Sequence, residues 1–356
     1  MFTSSLPCVH VVGANVYGYT SAILLILQGY KVTIIANHFP GDADYACNYP
    51  DNHVNSHWQT EASTADAHLQ EYDATSFKMF WNLAKCKASE SGIIIGSSFK
   101  YYQSPTDDQL NPWWKNVVPG FETIQNHELP EGVQLGHHYT TVLINTKRYL
   151  GWLQTQFLSM GGRQRRAAMN KILDVVGDQD HVSMIVNCSD DLPLGTDALD
   201  TSSQTIYQQQ YTVQASQIRK AVQVKTKDEE LYIYPRMDGT VVIGSSRRKQ
   251  HDENATQLLN RMADYCPELT WGKGMDALNI IDQEKTTKST RLHGPRVENQ
   301  FIVTPLGTRL SVTHNYGHDG YQSSWGSSKC AVRLVNEAYA NLKKDSQSIS
   351  ELLSRL

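Results

Sequence analysis

The residues with the clearest chemical potential lie near the N-terminus. In the stretch CVHVVGANVYGYTSAILLILQGYKVTIIA (8–36), Gly13, Asn15 and Gly18 fall on the three marked places of G-x-G-x-x-G. In that pattern the first glycine makes the turn out of a strand and the third lets the following helix lie close to the sheet. The second keeps the backbone bare, so that a pyrophosphate can reach the N–H groups at the helix start. The two packing glycines are present, but an asparagine stands where the ligand requires no side chain. Asparagine tolerates a left-handed φ, so the turn can survive, with its amide filling the phosphate's room. The cysteines Cys8, Cys47, Cys86, Cys188, Cys266 and Cys330 show no C-x-x-C spacing. No zinc spacing, Ser-His-Asp signature or Walker loop occurs, so no metal site is expected.

The elements that must hold such a turn are legible. Val9, Val11 and Val12 read as a buried strand, Ala22, Ile23, Leu25 and Ile26 as a helix, and 31–36 as a second strand. A helix is predicted over 64–87 and a strand over 92–102. A strand then leads into a helix running from about Thr146 to Gly161-Gly162. HVSMIVNCSDD reads as a buried strand entering a loop, and ELYIYPRMDGTVVIGSS as a hairpin about Asp238-Gly239. An amphipathic helix is predicted over 254–266, late strands in QFIVTPL and RLSVTHNYG, and a closing helix from YQSSWGSSK. The charged run 219–230 reads as a solvated turn or strand edge, and RQRR (163–166) and RRK (247–249) as solvated faces. The fold class is therefore mixed α/β. A discontinuous Rossmann-like dinucleotide domain is assigned to 1–50, 146–200 and 295–356, and an antiparallel-sheet domain to 51–145 and 201–294.

The chain has 356 residues, 40% hydrophobic and 19% charged, which places it among globular domains. A net charge of -4 gives no electrostatic case for nucleic acid. No apolar run approaches about 18 residues, so no membrane span is expected. The start MFTSSLPCVHVVG lacks a signal peptide, and unpaired thiols suit a reducing compartment. Ser354-Arg355-Leu356 is a conservative variant of the S-K-L address, which predicts a peroxisomal import receptor as partner and a peroxisomal, otherwise cytoplasmic, location.

YIYPRMDGTVVIGSS, HGPRVEN and HNYGHDGYQSSWGSS follow in order behind the glycine turn. Together these motifs resemble the D-amino-acid oxidase family, closest to its fungal branch, from about Val9 to about Asn341. The resemblance implies a Rossmann-like FAD domain built from separate pieces, with a mostly antiparallel sheet domain covering the flavin. It also implies hydride transfer from D-amino acids to FAD, with peroxide formed from oxygen, and a peroxisomal setting.

Against that family pattern, Gly13, Asn15, Gly18, Asn187, Gly317 and Gln322 mark the remnant of an FAD site. The family's SPWAGAHW stands here as DNHVNSHW (51–58), keeping His57 and Trp58 but placing His53 and Val54-Asn55-Ser56 where the pattern has a tryptophan and small residues. Ala215-Ser216-Gln217 stands for its RGQ, and VNCSDDLP for its VNATGLGA, which sets Asp190 and Asp191 near a pyrophosphate they would repel. The loop between His314 and Trp325 is about two residues short. On the substrate side Tyr232 is kept, the carboxylate-gripping arginine falls on Lys288, and a second tyrosine falls on Arg247.

Three readings follow. In the first, the fold works without flavin turnover as an acid–base catalyst (isomerase, cyclase, lyase or hydrolase type) on a carboxylate-bearing small molecule in fungal secondary metabolism. It needs no cofactor, and its candidate groups are His53, His57, Tyr232, Arg247, Lys288 and His314. The pair Arg247/Lys288 would hold a carboxylate or an enolate, and a neighbouring cation would lower a histidine or lysine toward the working pH. The second reading is an FAD-dependent oxidase with an altered substrate, and the third a non-catalytic binding protein. A homodimer is compatible with all three.

Overall fold

The computed structural model describes residues 7–43, 56–176, 184–189, 192–194, 202–249, 253–270, 274, 278–291, 294–303, 309–317 and 320–353. In chain order the strands are β1 (Cys8–Val12), β2 (Lys31–Ala36), β3 (Ser56–His57), β4 (Ile93–Tyr102), β5 (Glu122–Thr123), β6 (Leu135–Ile144), β7 (Arg163–Arg166), β8 (Met184–Asn187), β9 (Ser203–Gln214), β10 (Lys220–Lys225), β11 (Glu229–Pro235), β12 (Thr240–Arg247), β13 (Asn279–Arg291), β14 (Arg296–Val303) and β15 (Arg309–Tyr316). The longer helices are α1 (Val16–Leu27), α2 (Ala67–Cys86), α3 (Thr146–Ser159), α4 (Ala255–Ala263) and α5 (Gly320–Leu353). The chain divides into two compact units, Met1–Asn48 with Leu150–Ser203 and Arg291–Leu356, and Tyr49–Tyr149 with Gln204–Thr290.

In the first unit the described strands form a sheet in the order β14-β15-β8-β1-β2-β7. β15, β8, β1, β2 and β7 run parallel and β14 antiparallel. Parallel strands buried on both faces become largely apolar, as β1 and β8 are apart from His10 and Asn187. At the end of β1, Gly13 takes φ +105°, and a Cβ on Gly18 would lie 1.9 Å from the Gly13 carbonyl oxygen. Both packing roles read from the sequence are therefore filled. α1 is buried over most of its length and meets α5 through small polar side chains. Ser328 Oγ lies 2.8 Å from Thr20 Oγ1 and 3.0 Å from Ser21 Oγ, and Asn315 Nδ2 donates to Ser21 and Ser328 at 3.0 Å each. Small residues let two helices approach closely, and the buried hydroxyls of Thr20, Ser21 and Ser328 are partnered across the contact.

RQRR, expected on a solvated face, forms the partly exposed edge strand β7, where Arg166 clamps Asp42 through two hydrogen bonds of 2.7 and 2.9 Å.

In the second unit the described strands run β13-β9-β12-β11-β10-β4-β6-β3, with β5 beside β6. Pairing is antiparallel at β9–β12, β12–β11, β11–β10 and β4–β6, and parallel at β10–β4. One face carries Val222, Val224, Leu231, Ile233, Val241 and Ile243, covered by Leu258, Leu259 and Met262 of α4. Asn254 starts α4 as a capping box with Gln257. The run 219–230, expected as a solvated turn or strand edge, holds β10, whose four middle residues are buried between β4 and β11. Its flanking charges disguised a two-sided buried strand. Among the described residues, no helix is long and apolar enough to cross a membrane, and no group of three His, Cys, Asp or Glu is placed to hold a metal.

Candidate functional site

In the first unit, Asn15 has φ -98° and ψ -174°, ordinary extended backbone, so its tolerance of left-handed φ is not called upon. It is the N-cap of α1. Its Oδ1 accepts the Gly18 N–H at 3.0 Å, and its Nδ2 donates to the Cys188 carbonyl at 2.7 Å. The side chain thus occupies a donor at the helix start and ties the turn to the end of β8. Beside it, Asn187 accepts the Ser189 N–H at 2.9 Å and meets His314 Nδ1 at 3.2 Å. His314 is buried in β15 and joins neighbouring strands. Gly317 follows with φ +95°. The Arg291 N–H donates to its carbonyl at 2.8 Å, and a Cβ on Gly317 would sit 2.2 Å from Arg291 Cδ. Gln322 is buried in α5. The end of β2, where a Rossmann unit commonly carries an acid for a ribose hydroxyl, offers Asn37 and His38, paired at 2.8 Å.

In the second unit, the face of the large sheet opposite α4 carries a polar row. Register sets Lys100 (β4) beside Gln223 (β10), Gln223 beside Tyr232 (β11), Tyr232 beside Gly244 (β12) and Gly244 beside Gln210 (β9). Lys100 is 2% exposed and donates to Gln59 at 3.0 Å and Glu61 at 3.2 Å, while Lys225 reaches the other Glu61 oxygen. Glu230 accepts from Gln223 and Gln59, and Glu284 from Gln210. Tyr232 lies flat across Gly244, where a Cβ would come within 2.4 Å of its ring, and stacks on Tyr234 at 4.9 Å.

Burial pulls Lys100 downward, but Tyr102, Glu61, Tyr139 and Glu230 outweigh it and hold the ammonium above its usual range. Burial pushes Glu61 up, but Lys100 and Lys225 outweigh it and bring the carboxyl down to about 2. Burial first, then Glu230 and Glu284, raise the Tyr232 phenol, so it stays protonated at neutral pH.

The structure brings His57 and Tyr232 together through Tyr234, whose ring is 4.8 Å from the His57 imidazole. Burial, then the charge on Lys100, takes His57 down to about 3. Desolvation thus holds the imidazole neutral, below the range of a base poised near the working pH. Arg247 also departs from expectation. It sits on the α4 side of β12, bonded to Glu229 at 2.7 Å and Glu253 at 3.0 Å, and Arg261 binds the same two acids. Strand alternation gives the Tyr232 face to Ser246 instead, so Arg247 is not half of a substrate-binding cation pair. Lys288 lies in β13, and its side chain falls outside the described residues. His53, Asp190, Asp191 and Ser354-Arg355-Leu356 also fall outside them. Lys100, Glu61, Gln223, Glu230 and Glu284 were missed. The available signal was a polar residue at period two inside apolar strands, as in FKYY and AVQV.

A family model described as FAD dependent oxidoreductase (DAO) matches residues 9–334. The chain belongs to the DAO family of FAD-dependent oxidoreductases. It is 28% identical to a D-amino-acid oxidase of Fusarium vanettenii over 92% of this chain and 96% of that protein. It is 27% identical to a D-amino-acid oxidase of Schizosaccharomyces pombe over 91% and 95%. A crystal structure of glycine oxidase from Geobacillus kaustophilus superposes with a TM-score of 0.65 at 17% identity, covering 92% of this chain and 94% of that one, and so shares the fold. Three features of the described residues bear on how a dinucleotide would be held. The Asn15 side chain lies over the pyrophosphate turn, Arg291 methylenes cover the bare side of Gly317, and the end of β2 carries no ribose acid.

Proposed function

We propose that this DAO-family chain is an enzyme working without flavin redox turnover, by acid–base or electrostatic catalysis on a carboxylate-bearing small molecule. The observation that carries this reading is Asn15. A pyrophosphate at the helix start would have to displace an amide already bonded to Gly18 and Cys188. The substrate would meet the polar row of the large sheet. There the protonated Tyr232 phenol offers a proton or a hydrogen bond, and Lys100 supplies a fixed positive charge. The isomerase, cyclase, lyase and hydrolase types all draw on such a pair.

A second reading, an FAD-dependent oxidase with an altered substrate, is favoured by the two fungal D-amino-acid oxidases that align over more than 90% of the chain and by the retained Tyr232. FAD titration of the purified protein separates the two. The first reading expects a colourless protein that acquires no bound flavin spectrum, and measurable flavin uptake by Asn15→Gly. Stoichiometric flavin in the unaltered protein would establish the second.

A further inference from the structure

A small pocket opens where the β11–β12 turn meets the start of β4, the end of β6 and the first turn of α3. It has about 40 Å³ of water-accessible room, on the order of three waters, before it opens to solvent. Ile94, Leu143, Ile144, Tyr234, Pro235 and Met237 form an apolar wall, and Asn145 and Asp238 add polar lining. Two guanidinium groups, Arg236 and Arg148, break that wall.

Arg236 is held in place by its own strand end, since its N–H donates to the Thr240 carbonyl at 2.9 Å. Its side-chain Nε is buried with no hydrogen-bond acceptor. Three carboxylates act on it through space, Asp238, Glu284 and Asp282. Asp238 is engaged by the Thr240 N–H at 3.0 Å and its hydroxyl at 2.7 Å. Glu284 is engaged by Gln210, and Asp282 accepts the Gln283 N–H at 2.9 Å. An arginine does not shed its proton, so the buried N–H is a standing cost that an incoming acceptor removes. Arg148 lays its methylenes over Gly92 and gives one guanidinium nitrogen to the Ser89 carbonyl, which fixes a second cation at the rim.

We propose that this pocket binds a short organic carboxylate, its oxygens on the fork of Arg236 with Arg148 as a second charge and its carbon chain against Ile94, Leu143 and Tyr234. The apolar wall selects an organic acid over an inorganic anion, and the planar guanidinium selects a planar two-oxygen group. Tyr234 stacks on Tyr232 with its ring, so an occupant would lie one ring away from the polar row. The site stands whether or not the protein uses flavin.

Calorimetric titration of the full chain with butyrate, butan-1-ol and inorganic phosphate tests it. Saturable butyrate binding, with the alcohol and phosphate each weaker by at least about tenfold, is expected. Arg236→Gln should weaken butyrate by about tenfold or more, Arg236→Lys by less, and Arg148→Gln by a smaller factor. The melting temperature of Arg236→Gln checks that the variant is folded. If it fails to fold, Arg148→Gln and the loss of butyrate affinity with added salt carry the test. No saturable butyrate binding, phosphate binding as tight as butyrate, or unchanged affinity in both arginine variants would overturn the proposal.

Discussion

The most consequential single positions are those where one side chain fixes another. Gly244 has no room for a Cβ because the Tyr232 ring rests on it. Gly244→Ala should therefore push Tyr232 off the sheet and cost about 1–3 kcal/mol, read as a lower urea midpoint with a changed near-ultraviolet tyrosine signal. An unaltered signal would mean that the ring is not held there. His57 makes a pH prediction. Its pKa is about 3 when folded against 6.5 as the ordinary value, so the unfolded chain binds the proton first as pH falls. Stability from its neutral burial is complete above pH 6.5 and drains away toward pH 3. His57→Asn should remove a slope of about 1.4 kcal/mol per pH unit between those limits. Equal slopes in both proteins would show that His57 is not buried as described. The sequence offered His57 as a candidate by motif alone, and only the neighbouring Lys100 and the depth of burial decide which way its proton goes.

At the scale of elements, alternation along β12 separates two chemistries that look adjacent in the sequence. Ser246 faces the polar row. Arg247 faces α4 and shares Glu229 and Glu253 with Arg261. Arg247→Met should weaken the α4 contact by about 1–3 kcal/mol, since it leaves two largely buried acids with one cation. It should leave ligand binding at the polar row unchanged, and the two effects can be read from chemical denaturation and a binding isotherm. Lost binding with full stability would return Arg247 to the site. β1, α1, β2, the 238–239 hairpin and the late strands were legible because period and turn chemistry are local. β10 was not, because its charged ends mask a strand whose burial comes from neighbours far away in the chain, and β7 was not, because a short run of charged and polar residues on a sheet edge carries no strand period.

For the whole molecule, a DAO-family fold that depended on its dinucleotide would gain stability from it in proportion to occupancy. Here the contact between α1 and α5 is closed by its own hydroxyls, Thr20, Ser21 and Ser328, with Asn315. The melting temperature should therefore not move when FAD is added, whereas Ser328→Val, which takes the shared partner from the Thr20 and Ser21 hydroxyls and leaves Asn315 with Ser21 alone, should lower it through a cost of about 1–3 kcal/mol. A rise of several degrees with FAD would favour the oxidase reading.

The sequence by itself determined the family, the two kinds of unit and the glycine turn, because these rest on residue type and short-range spacing, which survive drift elsewhere. Which side chains share a face was decided only by the tertiary structure. The row from Lys100 to Gln210 is assembled from strands brought together by sheet register, and a shift of one residue in any of them would turn its polar members to the other side.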